Sequence, residues 1–321
     1  MKNFISTGKN RALVTGSAGF IGSHLVDKLL FSGYNVVGID NFSLGNLDNI
    51  THLSGKSNFV QLDFDLADTS SLDKVFSQYD FDVIFHFAAN SDVKLGSKDT
   101  SVDINSNFYT TRNLLEKMVD RKISKIVFAS TSAIYGSLNG DISESQGPLF
   151  PTSLYGASKL ASEAFISTYC NLFGIQAWLF RFPNVVGPRL THGVIYDFIA
   201  KLTSNPNELE VLGDGKQEKP YLHVFDLLDA ISMAYDKSQE MINFFNVGPD
   251  STTSVKDISK FLIKSMSLSD VKVSYTGGKI GWPGDVAKVS YDTSKIKEIG
   301  WKPSFSSNEA VKIAIKENLN D

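Results

Sequence analysis

Segments typical of strands and of helices alternate regularly along the chain from residue 11 to residue 180. Short apolar and β-branched runs, beginning with RALVT at 11–15, are each followed by a longer segment whose apolar residues recur three and four positions apart. Consecutive strands that are joined by helices run parallel, and their helices cover both faces of the sheet. The alternation therefore predicts an α/β protein with a Rossmann-type, doubly wound parallel sheet.

The pattern changes after Gly187, where the segments become shorter and more mixed. We therefore expect residues 1–186 to form the Rossmann domain. Residues 187–321 are expected to form a smaller, mixed α/β substrate lobe, with some segments returning to the first domain. In open parallel sheets, ligands bind outside the carboxyl ends of the strands. A substrate is accordingly expected between the lobes, above those strand ends.

A glycine-rich turn, GSAGFIG at 16–22, joins the first strand to a helical segment at 21–31. In such turns the first glycine, here Gly16, allows the tight turn, and the second, Gly19, lets the backbone approach a pyrophosphate. The third, Gly22, lets the helix pack closely on the strand, and the helix N-terminus offers its amides to the phosphates. The spacing differs from GxGxxG, but the strand–turn–helix context predicts a dinucleotide site.

An acidic residue follows the second strand, where dinucleotide-binding folds select their cofactor. Asp40 lies about 20 residues beyond the glycines, the position from which a carboxylate accepts hydrogen bonds from the adenosine ribose. It would repel a 2′-phosphate, and no arginine follows nearby, so Asp40-Asn41 predicts NAD rather than NADP. For the adenine edge the sequence offers Asp65 and Asp63 and does not decide between them.

Small residues follow the fourth strand-like run, DVIFHF at 82–87. Ala88 and Ala89 leave room at the strand tip for a flat cofactor. His86 lies inside the apolar run, so we expect it to be a hydrogen-bonded core histidine rather than a catalytic one.

Tyr155 and Lys159 lie four residues apart at the start of a helical segment, so both point to the same side of the helix. Tyrosine is a poor base at its ordinary pKa of about 10. An ammonium one helical turn away favours the phenolate and lowers that pKa. Thr131 ends a strand-like run and offers a hydroxyl to hold a substrate oxygen. The three side chains predict proton transfer at a carbinol, the step that accompanies hydride transfer.

Composition excludes several classes of protein. The net charge is −4 with no basic stripe, so we expect no nucleic-acid partner. The single cysteine, Cys170, rules out a disulfide framework within the chain and indicates a reducing compartment, the cytoplasm. The polar N-terminal residues lack the apolar core of a signal peptide, and no run of about 18 apolar residues predicts a membrane span. No ligand spacing indicates a metal site.

The motifs together resemble the extended short-chain dehydrogenase/reductase family, in its branch of nucleotide-sugar epimerases and dehydratases. The resemblance covers nearly the whole chain. Its motifs occur in the family's order: TGSAGFIG at 15–22, DN at 40–41, FAA at 87–89, Thr131 before YG at 135–136, YxxxK at 155–159, NVVGP at 184–188 and GDG at 213–215.

The resemblance implies NAD as the cofactor, a nucleotide sugar as the substrate, and contacts assigned by position. The implied catalytic residues are Thr131, Tyr155 and Lys159. The implied cofactor contacts are Gly16, Gly19, Phe20, Ile21, Gly22, Asp40, Asn41, Asp65, Leu66, Phe87, Ala88, Ala89, Asn107, Tyr155, Lys159 and Phe182. The implied substrate contacts are Ser91, Thr131, Asn184, Arg189, Lys219 and Asp285.

The resemblance is closest to UDP-glucose 4-epimerase-like enzymes, partly because the chain lacks acidic residues that related enzymes carry after the catalytic threonine. The related 4,6-dehydratases carry an Asp-Glu pair where this chain has Ser132 and Ala133, and UDP-glucuronate decarboxylases usually carry a glutamate at the second position. The resemblance therefore implies 4-epimerisation by transient oxidation at C4. The alternatives are a nucleotide-linked 4-ketosugar reductase and a non-enzymatic NAD-binding sensor.

Two positions of the substrate lobe depart from the family pattern. Lys219 and Ile280 stand where the family usually has arginine. Arginine binds a diphosphate bidentately, whereas lysine acts as a point charge. Arg189 and Lys279 are candidates to compensate, and the nucleotide and the sugar are left open.

Two long helical segments, near 101–121 and 155–173, alternate with strands on one sheet. Paired across a two-fold axis they would form a four-helix bundle, so a homodimer is expected.

Overall fold

The computed structural model describes residue 4 and residues 10–138, 140–278, 281 and 290–320. Its strands are β1 (Arg11–Thr15), β2 (Asn35–Asp40), β3 (Phe59–Asp63), β4 (Val83–His86), β5 (Lys125–Ala129), β6 (Asp141–Ile142), β7 (Gln176–Arg181), β8 (Asn184–Val186), β9 (Glu208–Val211), β10 (Glu218–Lys219), β11 (Tyr221–His223), β12 (Ile242–Asn246), β13 (Thr253–Ser254), β14 (Lys272–Tyr275) and β15 (Ser290–Tyr291).

Its α-helices are α1 (Phe20–Phe31), α2 (Thr69–Gln78), α3 (Val93–Lys98), α4 (Thr100–Asp103), α5 (Thr110–Arg121), α6 (Leu154–Phe173), α7 (Val194–Ser204), α8 (Val224–Lys237), α9 (Val255–Ser265), α10 (Ser294–Glu298) and α11 (Ser307–Asn320). A π-helical turn, Ile104–Tyr109, joins α4 to α5, and a 3₁₀ turn, Ser132–Tyr135, follows β5.

Seven parallel strands form the main sheet in the order β12-β7-β5-β4-β1-β2-β3. The prediction of a Rossmann-type, doubly wound sheet is confirmed. The chain moves outward from β1 to β3 on one side and from β4 to β12 on the other, so the strand order reverses between β1 and β4. The crevice for a ligand in such a sheet opens at this reversal, beyond the carboxyl ends of the strands.

Helices bury both faces of the sheet, which is why the central strands are mostly apolar. Side chains alternate between the faces along a strand. On β1, Val14 packs in a core with residues of α1 and α8, whereas Leu13 packs in a second core with residues of α2, α5 and α6. The strand β4 is buried at every position.

Elements beyond residue 187 also belong to the packing of the main sheet, among them β12 and α8. The strand β12 pairs with β7 from Ile242 opposite Ala177 to Asn246 opposite Arg181. The helix α8 contributes Leu227 to the same core as Val14. The chain therefore crosses between the two lobes several times.

The smaller lobe has a core of its own, built by α7, α9 and α11 against β9 and β11. Its short strands pair as β8 with β11 and β9 with β14, both parallel, and as β10 with β13, antiparallel. In the described part of the chain, none of the helices has the length and apolarity needed to cross a membrane.

Candidate active site

A cavity of about 850 Å³ lies at the carboxyl ends of the main-sheet strands and extends to the smaller lobe. Residues of both lobes line it, among them Gly16, Ala88 and Tyr155 on one side and Phe198 and Lys219 on the other. Its size is within the range of small-molecule sites.

The glycine turn brings the chain close to the tip of β4. Gly16 has a left-handed backbone (φ +72°), and a Cβ there would lie 2.7 Å from the amide nitrogen of Ala88. A Cβ on Gly22 would lie 1.9 Å from the carbonyl oxygen of Gly16. The α1 N-terminus receives no side-chain cap, so its amides face the cavity. The glycine turn and the N-terminus of α1 together fit the pyrophosphate of a dinucleotide.

Asp40 braces the glycine turn and lines the cavity. Its Oδ2 accepts a hydrogen bond from the amide of Ala18 (2.9 Å), and its Oδ1 accepts one from Phe42 (2.9 Å). Burial raises the pKa of Asp40, and the Asp63 carboxylate acts in the same direction. Asp40 fits the prediction of a ribose-binding carboxylate.

The two candidate acids for the adenine edge differ in their positions. Asp65 lines the cavity, and its Oδ2 accepts a hydrogen bond of 2.8 Å from Nδ2 of Asn41, which lines it too. Asp63 is exposed at the end of β3 and does not belong to the lining. The structure therefore favours Asp65.

At the tip of β4, Phe87, Ala88 and Ala89 line the cavity. His86, directly before them, is fully buried. Its Nδ1 hydrogen-bonds Thr15 Oγ1 (2.7 Å) and its Nε2 hydrogen-bonds Thr111 Oγ1 (2.9 Å). Burial, aided by the nearby Lys159, lowers the pKa of His86 to about 3. The prediction of a hydrogen-bonded core histidine is confirmed. The remaining contacts predicted for the cofactor alone that line the cavity are Gly19, Phe20, Ile21, Gly22, Leu66 and Phe182.

Tyr155 lies in the first turn of α6, which begins at a hydroxyl cap. Ser153 Oγ accepts a hydrogen bond from the amide of Gly156 (3.1 Å). A Cβ on Gly156 would lie 2.6 Å from the carbonyl oxygen of Ala133, so glycine lets α6 pack against the turn after β5. This contact places Tyr155 within hydrogen-bonding reach of Thr131. The structure thus brings the predicted threonine and tyrosine together.

Lys159 is fully buried one helical turn further along α6. Its Nζ donates to the carbonyl oxygen of Ala129 (2.8 Å) and lies 4.6 Å from the centre of the Phe128 ring. Burial lowers the pKa of Lys159 to about 7, while the carboxylates of Glu163 and Asp103 act in the opposite direction.

The predicted lowering of the Tyr155 pKa is not found in this structure. Burial raises the pKa of Tyr155 to about 12, against the opposing effect of its hydrogen bond with Thr131. The ammonium of Lys159 is directed at a backbone carbonyl, and desolvation disfavours both charged forms. The sequence showed the spacing of the two side chains but not their burial.

Asn107, predicted to contact the cofactor, does not line the cavity. It lies buried on the π-helical turn, where its Oδ1 accepts from the amide of Asn90 (2.8 Å) and its Nδ2 donates to Ser158 Oγ (2.9 Å). It therefore joins the loop after β4 to α6, next to Lys159.

The predicted substrate contacts divide into three groups. Ser91, Thr131, Asn184 and Lys219 line the cavity. Arg189 does not, because its Nη1 donates to Asp27 Oδ2 (2.9 Å) on α1. Asp285 lies outside the described residues, as do Lys279 and Ile280.

The lining residues that were missed from the sequence include Ser132, His192, Lys201 and Tyr291. Helical periodicity could have indicated Lys201, because it follows Asp197 by one turn of α7 and both line the cavity. Tyr291 carries no such signal, since it reaches the cavity only through the pairing of β15 with β6.

A buried ion pair between Glu163 and Arg181 holds α6 against the main sheet. Glu163 accepts bonds from Nε and Nη2 of Arg181, the latter at 2.6 Å, and also from the hydroxyl of Ser130. Arg181 Nη1 donates to the Tyr135 hydroxyl (3.0 Å). The pair therefore links α6 to the ends of β5 and β7.

The model of the NAD dependent epimerase/dehydratase family matches residues 12–248. The chain belongs to this family. A putative UDP-glucose 4-epimerase of Methanocaldococcus jannaschii is 34% identical over 96% of this chain and 98% of its own length. A crystal structure of UDP-galactose 4-epimerase has a TM-score of 0.85 and 38% identity, covering 96% of this chain and 98% of that one.

The family also contains enzymes with other reactions at similar identity. The dTDP-D-glucose 4,6-dehydratase of Mus musculus is 29% identical over 95% of this chain and 88% of its own length. The protein is thus an enzyme of the nucleotide-sugar epimerase/dehydratase group within the extended short-chain dehydrogenases, and its reaction has to be inferred from the site.

Proposed function

We propose that the protein is an NAD-dependent nucleotide-sugar 4-epimerase of the UDP-glucose/UDP-galactose type. The observation that carries this proposal is the pair of hydroxyls formed by Thr131 and Tyr155, with Ser132 and Ala133 as the next residues on the cavity wall. This site can move a proton at a carbinol. The positions next to Thr131 provide neither the carboxylic acid nor the carboxylate that elimination of water would need.

NAD would be held by the glycine turn, the α1 N-terminus, Asp40 and the alanines at the tip of β4. When bound, NAD supplies the acceptor and donor of hydride for C4 of the sugar. We infer that Lys219 and Lys201, which line the smaller-lobe side, face the diphosphate of the substrate.

Tyr155 takes the proton of the 4-hydroxyl and returns it after the 4-keto sugar has presented its other face. Thr131 holds the oxygen during both steps. Burial lowers the pKa of Lys159, and when this lysine is protonated its ammonium supplies positive charge beside a phenolate. The reaction is redox-neutral overall.

The proposal is tested by incubating the purified protein separately with UDP-glucose, UDP-N-acetylglucosamine and UDP-glucuronate. The anomeric proton signals are followed by NMR, without added NAD and then with it. The galacto-configured product of at least one sugar is expected, with no net change in nicotinamide absorbance. Reaction only with a 4-ketosugar and a stoichiometric reductant would contradict the proposal and indicate a reductase. NAD binding without turnover of any sugar would indicate a sensor.

We also propose a homodimer through a four-helix bundle of α5 and α6 from two copies, in the cytoplasm. Exposed apolar side chains on this side of the molecule support it, notably Phe165, which is 40% exposed, and Leu172, which is 69% exposed. Light scattering should give twice the chain mass of 35.3 kDa. Phe165→Glu should shift the mass toward the monomer, whereas Phe31→Glu on α1 should not. An unchanged mass for Phe165→Glu would contradict the bundle.

A further inference from the structure

Asp103, the last residue of α4, carries a buried carboxylate that has no part in the proposed mechanism. The residue is only 1% exposed. Its Oδ1 accepts a hydrogen bond of 2.8 Å from Nδ2 of Asn90 and one of 3.3 Å from Nδ2 of Asn107. Its Oδ2 has no hydrogen-bond partner among the described residues. A buried polar atom without a partner costs free energy, so this carboxylate needs a physical explanation.

The helix α3 covers the unpartnered oxygen of this carboxylate. A Cβ on Gly96 of α3 would overlap Oδ2 of Asp103. The two asparagine amides hold the other oxygen. The carboxylate is therefore fixed from both sides, and its unpartnered oxygen cannot be relieved by rotation without moving a helix.

Hydrogen bonds join Asp103 to both sides of the site where the proton is transferred. Asn90 lines the cavity directly after the alanines at the tip of β4, and its backbone amide donates to Oδ1 of Asn107 (2.8 Å). Asn107 Nδ2 donates to Ser158 Oγ (2.9 Å), and Ser158 directly precedes Lys159 on α6. The carboxylate of Asp103 therefore anchors a network that holds the loop after β4 against α6.

The charge of the carboxylate also acts on the proposed proton-transfer residues. Burial lowers the pKa of Lys159, and Glu163 and Asp103 oppose this fall. Burial raises the pKa of Tyr155, and Asp103 adds to this rise. The charged and titratable groups that face Asp103 or Lys159 from the surrounding elements are Asp92 of the loop after β4, His86 of β4, and Tyr155 and Glu163 of α6.

We propose that Asp103 is a positioning residue whose carboxylate holds the loop after β4 against α6 and whose negative charge sets the pH range in which Tyr155 and Lys159 transfer the proton. The inference rests on the proposed function, because it takes these two residues to carry out the transfer. A negative charge nearby keeps the proton on both groups up to a higher pH. Removing the charge should therefore shift the pH dependence of the reaction to lower pH.

The kinetic test compares Asp103→Asn with the wild type and with the control Asp99→Asn. Asp103→Asn removes the charge but keeps the shape and an oxygen that accepts from the two asparagines. Asp99 is the exposed N-cap of the same helix, and asparagine caps a helix as well as aspartate does. The values of kcat and KM are measured across the pH range with the UDP-sugar that the wild type epimerises.

The pH profile of kcat for Asp103→Asn should move by about one unit to lower pH. Both limbs should move, because the rising limb requires the phenolate of Tyr155 and the falling limb requires the ammonium of Lys159. The KM should change by less than about threefold, because Asp103 does not line the cavity. The profile of Asp99→Asn should coincide with that of the wild type. If Asp103→Asn does not fold, the smaller and equally neutral Asp103→Ser should give the same shift.

Urea unfolding tests the same charge without any turnover. Loss of the carboxylate lowers the pKa of Lys159 further, so the folded protein releases this proton at lower pH while the unfolded chain keeps it. The loss also removes the proton that the folded protein holds on Asp103, whose pKa is raised by burial. Both changes should make the free energy of unfolding rise more between about pH 5 and pH 7 in Asp103→Asn than in the wild type.

The control and a double variant make the unfolding test specific. Asp99→Asn should show the same rise as the wild type. In the Lys159→Met background, Asp103→Asn should change the rise less, because the lysine on which the charge acts is gone.

A profile of kcat that stays in place or moves to higher pH would overturn the inference, even if kcat falls at every pH, and Asp103 would then have only a structural role. Equal rises in the free energy of unfolding for Asp103→Asn and the wild type would overturn it as well, whether or not a sugar is epimerised. If the rises differ as expected but no sugar reacts, the proposed function fails and the action of the Asp103 charge on Lys159 stands.

Discussion

Tyr155 and Lys159 line the same cavity, and desolvation disfavours the charged form of each. Burial raises the pKa of Tyr155 to about 12 and lowers that of Lys159 to about 7. A phenolate in this site therefore needs a positive charge or a proton acceptor close by. The two side chains lie one helical turn apart. The ammonium of Lys159 can therefore stabilise a phenolate on Tyr155, and the phenolate can stabilise the ammonium.

We predict that Tyr155→Phe lowers kcat by about three orders of magnitude, because positioned proton transfer contributes 10²–10⁴-fold. The substitution keeps the ring and its packing, so the Kd of NAD, measured by calorimetry, should stay within about twofold. Activity close to that of the wild type would remove Tyr155 from the mechanism.

Lys159 also predicts a dependence of stability on pH. In the unfolded chain this lysine binds a proton up to about pH 10.5, whereas in the folded protein it releases the proton near pH 7. The unfolded state holds more protons within this window, so the free energy of unfolding rises with pH there. Urea unfolding at pH 7 and pH 9 should show a smaller rise for Lys159→Met than for the wild type. Equal rises would contradict the lowered pKa.

Among the helices and strands, α6 carries the proposed proton-transfer residues and also one partner of a buried ion pair. Its first turn carries Tyr155 and Lys159, and its next turn carries Glu163, whose carboxylate pairs with Arg181 at the end of β7. The side chains of both partners are less than 10% exposed. Removing one member of such a pair leaves an uncompensated buried charge.

We predict that Glu163→Gln lowers the free energy of unfolding by about 3 kcal/mol, measured by urea denaturation. The matched control is Glu116→Gln, which breaks the exposed pair with Arg112 on α5 and should cost less than about 1 kcal/mol. Similar losses in the two variants would show that Arg181 finds another partner.

The helical segment predicted near residues 101–121 is not a single helix in the structure. The segment near 101–121 has the periodicity of a single helix, but α4 and α5 are separated by the π-helical turn that carries Asn107. The wider turn changes the direction of the side chains that follow. Asn107 consequently reaches Asn90 and Ser158 and not the cavity.

For the whole molecule, the cavity depends on how the lobes meet. The segment before α7 leads into the smaller lobe, and Arg189 in this segment pairs with Asp27 of α1. Lys219, from β10, lines the cavity. Arg189 and Lys219, two of the cations that the sequence offered for the diphosphate, therefore have different positions, one at the junction of the lobes and one at the cavity wall.

We predict that Lys219→Ala weakens the binding of UDP about tenfold, because the charge that we propose to face the diphosphate is lost. Arg189→Ala should change the Kd of UDP by less than about threefold and lower the melting temperature instead. Calorimetric titration with UDP and a thermal scan measure both effects. A larger loss of affinity for Arg189→Ala than for Lys219→Ala would reverse the assignment.

The sequence by itself determined the alternation of strands and helices that builds the parallel sheet, the glycine turn, and the places of Thr131 at the end of a strand and of Tyr155 on a helix. These follow from local rules, because apolar periodicity defines the buried face of an element and parallel strands end at one edge. Asp40 and the alanines at the tip of β4 were predictable for the same reason.

Only the tertiary structure decided which distant residues meet and how far charges are removed from water. It placed Tyr291 beside Ser132, directed Arg189 to α1, and added β12 to the main sheet. It also reversed the expected direction of the Tyr155 pKa. The physical reason is that pairing between distant segments and desolvation depend on the packing of the whole chain, which no local pattern contains.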